Sequence, residues 1–248
     1  MKGIILAGGL GTRLFPLTKI TNKHLLPLYN QPMIFYPIAT MVKSGIKDII
    51  LVTGGNNAGD FLRLLGDGSE LGLRELQYIY QNKEGGIAHA IGLCEKHAKG
   101  HKIAVILGDN IVEGDFSKSV RDFEKGDMGA KIFLKKVTNP REYGVAKFSG
   151  KKLVGIAEKA SKPPSSFAVT GIYLYDNFIF NLIKTLKPSR RNELEITDVN
   201  NIYLKKNKLA FGFLKGGWYD AGESIEAYNQ AISFARKLSM GKKKNLSM

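Results

Sequence analysis

Cys94 is the only cysteine in 248 residues, which excludes intrachain disulfides and cysteine-cluster metal sites. No apolar run approaches the roughly 18 residues that a membrane span needs. Met1-Lys2-Gly3 leads at once into a strand-like run, without the layout of a secretory signal. Acidic residues are few: 22 Asp and Glu stand against 37 Lys and Arg, for a formal charge of +15. An excess of this size can mark a nucleic-acid binder, but its distribution argues otherwise. Five cations without an acid (Arg236, Lys237, Lys242, Lys243 and Lys244) lie in the tail, and the rest are scattered. No basic stripe interleaved with aromatics occurs. His24, His89, His97 and His101 have no metal-ligand spacing, and no serine or cysteine nucleophile constellation is present. These absences lead us to expect a cytoplasmic protein with neither a nucleic-acid nor a membrane partner.

What the chain does have is concentrated near its start. Gly3 to Ala7 is an apolar run of the kind that forms a buried parallel strand. It ends in Gly8-Gly9-Leu10-Gly11-Thr12-Arg13. Glycines let backbone N–H groups approach a polyphosphate, and successive N–H groups form an anion-binding concavity. Arg13 and Lys23 can reach charges that such a backbone leaves exposed. No lysine follows the first glycines as a Walker loop requires, and Leu14 stands where the dinucleotide fingerprint needs its third glycine. The strand Asp48–Thr53 runs into Gly54-Gly55 and not into a ribose-binding acid. The pattern therefore reads as a loop for a nucleoside triphosphate or, more plainly, as a tight strand-to-helix turn.

Strand and helix patterns alternate through the first half. Pro32 to Ser44 is helical in spacing, Asp48–Thr53 a strand, Asn57–Leu65 a helix, Leu76–Tyr80 a strand, Ala88–Ala98 a helix and Ile103–Leu107 a wholly apolar strand. Continuous apolar strands separated by helices predict a Rossmann-like α/β fold, a mostly parallel sheet sandwiched by helices. Ligands of such sheets sit beyond the carboxyl ends of the strands, which brings the glycine loop and Asp109 to one crevice. The second half predicts strands at Lys131–Val137, Gly144–Phe148, Leu153–Ala157, Val169–Tyr175 and Leu209–Leu214. Helices are expected at Asp176–Leu186, Ile196–Lys205 and Ser224–Leu238. No linker, repeat or composition shift separates the halves. One domain over 1–240 is expected: a nucleotide-binding part to about 115, an elaborated lid over the crevice across about 116–222 and a terminal helix over about 223–239. A loose basic tail, 241–248, follows.

Few side chains in these places can carry chemistry. Asp109, in Leu107-Gly108-Asp109-Asn110, follows a buried strand and can take Mg²⁺, which binds through one or two carboxylates plus substrate phosphates; it can equally serve as a turn or N-cap residue. Asp220, in Gly217-Trp218-Tyr219-Asp220, is the second candidate, with a helix-start acid as the plain alternative. Glu158-Lys159 ends a strand, where the lysine can neutralise a phosphate and the glutamate can accept sugar hydroxyls; a solvated surface pair is the alternative. Gln81 ends another strand and offers one donor and one acceptor to a pyrimidine edge.

Read together, Gly8-Gly-x-Gly-Thr-Arg13, Lys23-x-Leu-Leu-Pro27, Gly108-Asp-Asn110, Tyr143-Gly-Val145, Glu158-Lys159, Ala168-Val-Thr-Gly-x-Tyr173, Glu193-Leu-Glu-Ile-Thr-Asp198 and Trp218-x-Asp220 closely resemble the sugar-1-phosphate nucleotidylyltransferases, over about residues 1–235. The resemblance, strongest to the thymidylyl-transferring branch, implies Mg²⁺-dependent transfer from dTTP (or UTP) to glucose 1-phosphate, or to another sugar 1-phosphate. It implies that Asp109 and Asp220 hold the metal and that Arg13, Lys23 and Lys159 act on the reacting phosphates. Leu6, Ala7, Gly8, Gly9, Gly11, Thr12, Gln81 and Gly86 would join them around the nucleotide. Asn110, Gly144, Glu158, Val169 and Arg191 would surround the sugar, which makes the lid over about 116–222 a sugar-binding lid. An inactive regulatory homologue is the reading from another class, disfavoured because Arg13, Asp109, Lys159 and Asp220 are all retained.

The chain departs from the family pattern at a few positions. His24 replaces a usual glutamine, Ala160 a proline, Asn192 a frequent glycine and Ala221 a threonine. None removes a charged group. Long-form relatives continue for a few more helices, so weak or absent feedback inhibition and a dimer or monomer are the expectations for this length.

Overall fold

The computed structural model describes residues 1–244, and its centre is a nine-stranded mixed sheet. The first half supplies β1 (Lys2–Ala7), a small hairpin of β2 (Pro27–Leu28) and β3 (Gln31–Pro32), β4 (Asp48–Gly54), β5 (Glu75–Gln81), β6 (Ile103–Leu107) and β7 (Asn110–Val112). The second supplies β8 (Ala130–Lys136), β9 (Gly144–Ser149), β10 (Lys152–Glu158), β11 (Phe167–Tyr175), β12 (Leu209–Phe213) and β13 (Trp218–Asp220). β5, β4, β1 and β6 pair in parallel. β11 joins β6 antiparallel and carries β9, β10 and β8 beyond it, with β12 on β8. Both halves of the chain therefore share one sheet.

Alternation along the central strands explains the layers. Ile4 and Leu6 point to one face and Ile5 and Ala7 to the other, as successive strand side chains must. The first face packs under α3 (Gly86–Leu93), α4 (Glu95–Ala98), α6 (Ile179–Ile183) and α7 (Ile196–Lys205), through Ile91, Cys94, Phe180, Val199 and Tyr203. The second packs under α1 (Phe35–Lys43), α2 (Ala58–Leu65) and α5 (Ser117–Lys125), through Ile38, Met41, Phe61, Leu65, Val120 and Phe123. Each buried isoleucine or leucine stabilises the fold by about 1.5–3 kcal/mol. Buried residues on both faces are what the unbroken apolar runs require.

A third apolar cluster seats the last helix, α8 (Ile225–Lys244). Tyr228, Ala231 and Ala235 pack on Leu14, Leu26, Leu28, Met33 and Ile111. The Tyr228 hydroxyl donates to the Pro27 carbonyl at 2.6 Å, fixing the helix to the hairpin. α8 extends past the expected end near 239, because no proline stops it and lysine sustains a helix well. Of the expected basic tail, only 245–248 lie outside the described residues. Among the described residues, no helix is long and apolar enough to cross a membrane.

Candidate functional site

The carboxyl ends of β1, β5 and β6 open into a cleft of about 430 Å³. Its walls come from both halves of the chain. Apart from Ala7, every residue predicted for the site lines it. Ala7 is buried below, where its carbonyl accepts from the Asn22 amide at 3.3 Å.

At one end the glycine loop turns out of β1. Gly11 sits at φ +69, where a side chain would be strained and would also press on Thr18 and Lys23. The Thr18 hydroxyl donates to the Gly11 carbonyl at 2.9 Å, bracing the turn. The Leu10 N–H donates to Glu84 Oε1 at 2.8 Å, tying the loop tip to the segment after β5. Arg13 stands exposed at the mouth of the cleft. Gln81, nearly buried, lies over Gly8 at the floor.

The middle of the cleft holds opposed charges. Lys23 Nζ donates to Asp109 Oδ2 at 2.5 Å. Asn110 Nδ2 donates to the other Asp109 oxygen at 3.1 Å, while Asn110 Oδ1 accepts from the Gly171 N–H at 2.9 Å and from Trp218 Nε1 at 2.7 Å. With its oxygen filled in this way, Asn110 braces Asp109 from within the cleft wall. β13 pairs with β7 so that Asp220 lies opposite Asn110, and the Ala221 N–H donates to the Asp109 carbonyl at 2.9 Å. Gly222 has no side chain at a point where a Cβ would run into the Asp109 carboxylate and Lys23 Nζ.

The electrostatics follow from this crowding. Burial pulls the Lys23 ammonium down, but Asp109 and Asp220 outweigh it, and the net shift is upward. Burial works against the Asp109 carboxylate, yet Lys23, His24 and its two hydrogen bonds carry it well below the usual carboxylate range. Asp220 is pushed up to about 7, by burial first and then by Asp109 across from it. Two carboxylates thus share one lysine, with Arg13 adding only a weaker positive charge from the cleft mouth. That deficit suits Mg²⁺, a hard cation that takes one or two carboxylates and fills its shell with water and phosphate oxygens. Among the described residues no group of three or more His, Cys, Asp or Glu offers a complete protein cage.

The far end is built around Arg191. It donates to Glu195 through Nε at 3.2 Å and Nη2 at 2.8 Å, and Nη2 lies 3.4 Å from Glu158 and 3.5 Å from Glu193. Ser189 Oγ donates to Glu195 at 2.6 Å, and Thr197 Oγ1 donates to Glu158 at 2.5 Å. The arginine is thereby aimed by carboxylates on its own loop and on β10. Asn192 takes φ +58, a left-handed backbone that asparagine tolerates, so its replacement of the family's glycine leaves the Arg191 loop turn intact. Lys159, exposed at the end of β10, has φ +39, and its N–H donates to the Tyr143 carbonyl at 3.1 Å.

Several lining residues were missed as site groups in the sequence: Glu84, Tyr143, Tyr173, Glu195, Thr197 and Gly222. Tyr143, Tyr173, Glu195 and Thr197 belong to the recognised motifs, which is the one signal that could have flagged them. Glu84 and Gly222 gain their places only through contacts distant in sequence.

Residues 2–237 match the family model described as nucleotidyl transferase. Glucose-1-phosphate thymidylyltransferase of Neisseria meningitidis is 41% identical over 95% of this chain and 83% of its own length. The enzyme of the same name from Mycolicibacterium smegmatis is 43% identical over 97% of this chain and 84% of its own. Among solved structures, a provisionally assigned glucose-1-phosphate thymidylyltransferase from Bacillus anthracis, in complex with sucrose, superposes with a TM-score of 0.91 at 47% identity and 95% coverage of both chains. A UDP-glucose pyrophosphorylase complexed with UDP-glucose reaches 0.83 at 25% identity, covering 95% of this chain and 98% of its own.

Proposed function

Because the chain belongs to the nucleotidyl transferase family, we propose that it transfers a thymidylyl group from dTTP to glucose 1-phosphate, giving dTDP-glucose and pyrophosphate. One observation carries the reading: a single cleft joins the glycine loop and Arg13, the Lys23–Asp109–Asp220 cluster, and the Glu158–Lys159–Arg191 end. The relatives that carry this enzyme's name span nearly the whole chain, which supports the choice of substrates.

A phosphate oxygen of the sugar 1-phosphate attacks the α-phosphorus of dTTP. The new P–O bond forms as the bond to the bridging oxygen breaks, and pyrophosphate leaves with the electron pair. No proton need move, because the attacking phosphate is already anionic. The work of the protein is positioning and charge neutralisation. The glycine-loop N–H groups and Arg13 hold the β- and γ-phosphates, and so stabilise charge on the leaving group. Lys159 and Arg191 bring the sugar phosphate into line against repulsion from the triphosphate. Lys23 turns from Asp109 toward the phosphates when nucleotide enters. Asp109 and Asp220 would hold Mg²⁺, which when bound neutralises phosphate oxygens that side chains cannot all reach. Glu158 and the Val169 and Gly144 backbone shape the hexose end, and Gln81 and Gly86 meet the base.

The test is pyrophosphate release with Mg²⁺, glucose 1-phosphate and either dTTP or UTP, with Asp109→Ala as control. Release that prefers dTTP and is lost in the variant is expected. Preference for UTP would keep the chemistry and change the product, a reading favoured by the likeness to the UDP-glucose enzyme. Silence with both nucleotides and a panel of sugar phosphates would overturn the proposal.

A further inference from the structure

Gln81, which the proposed function sets against the base, is itself held from behind. Its Nε2 lies 3.0 Å from His89 Nδ1, and its Oε1 lies over Gly8, where an added Cβ would come within 2.5 Å of it. Gln81 lines the cleft. His89 does not touch it, being one turn into α3, where a side chain leans back toward the helix start. There the ring packs on Gly85, so closely that a Cβ on that residue would meet it at 2.7 Å. The imidazole is thus clamped between the end of β5 and the start of α3.

A glutamine amide is nearly symmetric in shape but opposite in hydrogen bonding at its two ends: the oxygen accepts and the nitrogen donates twice. Left free, it can satisfy either a base edge with a central donor or one with a central acceptor. Thymine and uracil present an N–H between two carbonyls. Cytosine presents a bare ring nitrogen beside an amino group. Reading the first edge requires the amide oxygen to face the base N–H. A partner behind the amide that accepts from its nitrogen keeps the oxygen forward.

We propose that His89 is a positioning residue that fixes the Gln81 amide with its oxygen toward the base, and so makes the cleft select thymine or uracil over cytosine. This rests on the proposed placement of the nucleotide base at Gln81. It assigns the selectivity to a residue outside the cleft. One hydrogen bond of this kind is worth about 0.5–1.5 kcal/mol net, up to about tenfold in affinity.

The experiment measures binding of dTTP and dCTP with Mg²⁺, without sugar, so that it is independent of turnover. Three full-length variants separate the roles: His89→Leu removes the partner, His89→Gln can still accept, and His89→Lys can only donate. The wild type should prefer dTTP. His89→Leu should weaken dTTP by about fivefold to tenfold and leave dCTP nearly unchanged, so that the ratio narrows. His89→Gln should keep the ratio, and His89→Lys should narrow it at least as far as leucine. A purely structural role would weaken both nucleotides together. Equal weakening, or a wild-type ratio in His89→Leu and His89→Lys, overturns the inference, as does a wild type without preference for dTTP. Should His89→Leu fail to fold, as read by thermal unfolding, the glutamine and lysine variants decide. A wild type that selects dTTP but forms no product with glucose 1-phosphate would sink the proposed reaction and leave this inference standing.

Discussion

Lys23 Nζ and Asp109 Oδ2 meet at 2.5 Å across the cleft floor, with side-chain exposures of only 14% and 9%. A pair this dry gains little net stability from its attraction, but losing one member strands the other's charge at a cost of about 3 kcal/mol. Here Asp220 adds a second carboxylate to the same lysine. Lys23→Met should therefore destabilise the protein without metal by about 3 kcal/mol. Added Mg²⁺ should recover more stability in the variant than in the wild type, because the ion then answers two unpaired carboxylates. Thermal unfolding with and without Mg²⁺ reads both effects. Equal responses to Mg²⁺ would mean that lysine and metal do not share Asp109.

His24 gives the pH dependence a definite sign. Burial, and then the neighbouring Lys23, lowers its pKa from 6.5 to about 3. Between those values the unfolded chain binds a proton that the folded one refuses, so stability rises with pH there. The contribution is complete above about 6.5 and is lost as pH falls toward 3, at about 1.4 kcal/mol per unit. His24→Gln removes the titrating group. Urea unfolding at pH 7.5 and pH 5.0 should show the wild type losing about 2 kcal/mol more than the variant. Parallel losses would place the imidazole in contact with water.

How the sequence fared is clearest in particular elements. β6 and α7 were legible to the residue, because an unbroken apolar run and a helical period leave little choice of boundary. The helix expected over Ala88–Ala98 begins earlier, at Gly86, and breaks at Cys94, whose N–H bonds back to Ile91 in a tighter turn. The one expected over Asp176–Leu186 shrinks to Ile179–Ile183, because the Asp176 carboxylate accepts the Phe178 N–H and fixes a turn first. α5 went unread although Val120 and Phe123 mark its buried face. β7 and β13 are three residues each and exist only by pairing with one another, which no local pattern reveals. The same holds in the site. Arg13, Lys23, Asp109, Lys159 and Asp220 were legible as charged groups inside motifs, and Arg191 only through the resemblance, two residues before one. The brace of Ser189 and Glu195 behind Arg191 was not, because it is a matter of aim.

Lys102 makes a structural prediction away from the cleft. Its ammonium donates to the carbonyls of Phe123, Glu124 and Gly126 at 2.9, 3.1 and 2.7 Å, closing the end of α5. A cation at a helix C-terminus answers carbonyls that have no partner within the helix. Lys102→Met keeps the stem and deletes the donors, so a loss of about 2 kcal/mol is expected. Activity should be unchanged at temperatures where the variant stays folded. A denaturant midpoint equal to that of the wild type would show that water replaces the lysine without cost.

Gly222 tests whether the spacing of the charged cluster matters more than its presence. A methyl group there would strike the Asp109 carboxylate and Lys23 Nζ, so one of the two must move. Gly59, in α2, has nothing within 4 Å of the same added atom. Alanine in a helix is favoured over glycine by roughly 0.5–1 kcal/mol, so Gly59→Ala should stabilise the fold and leave turnover alone. Gly222→Ala should lower kcat by about 100-fold, the usual scale for a displacement of about 1 Å at reacting groups. Every charged side chain remains in that variant, so the loss could come only from geometry. Near wild-type kcat in Gly222→Ala would mean that Asp109 and Lys23 tolerate displacement, and the close pairing would then be a feature of the resting cleft with no bearing on the reaction.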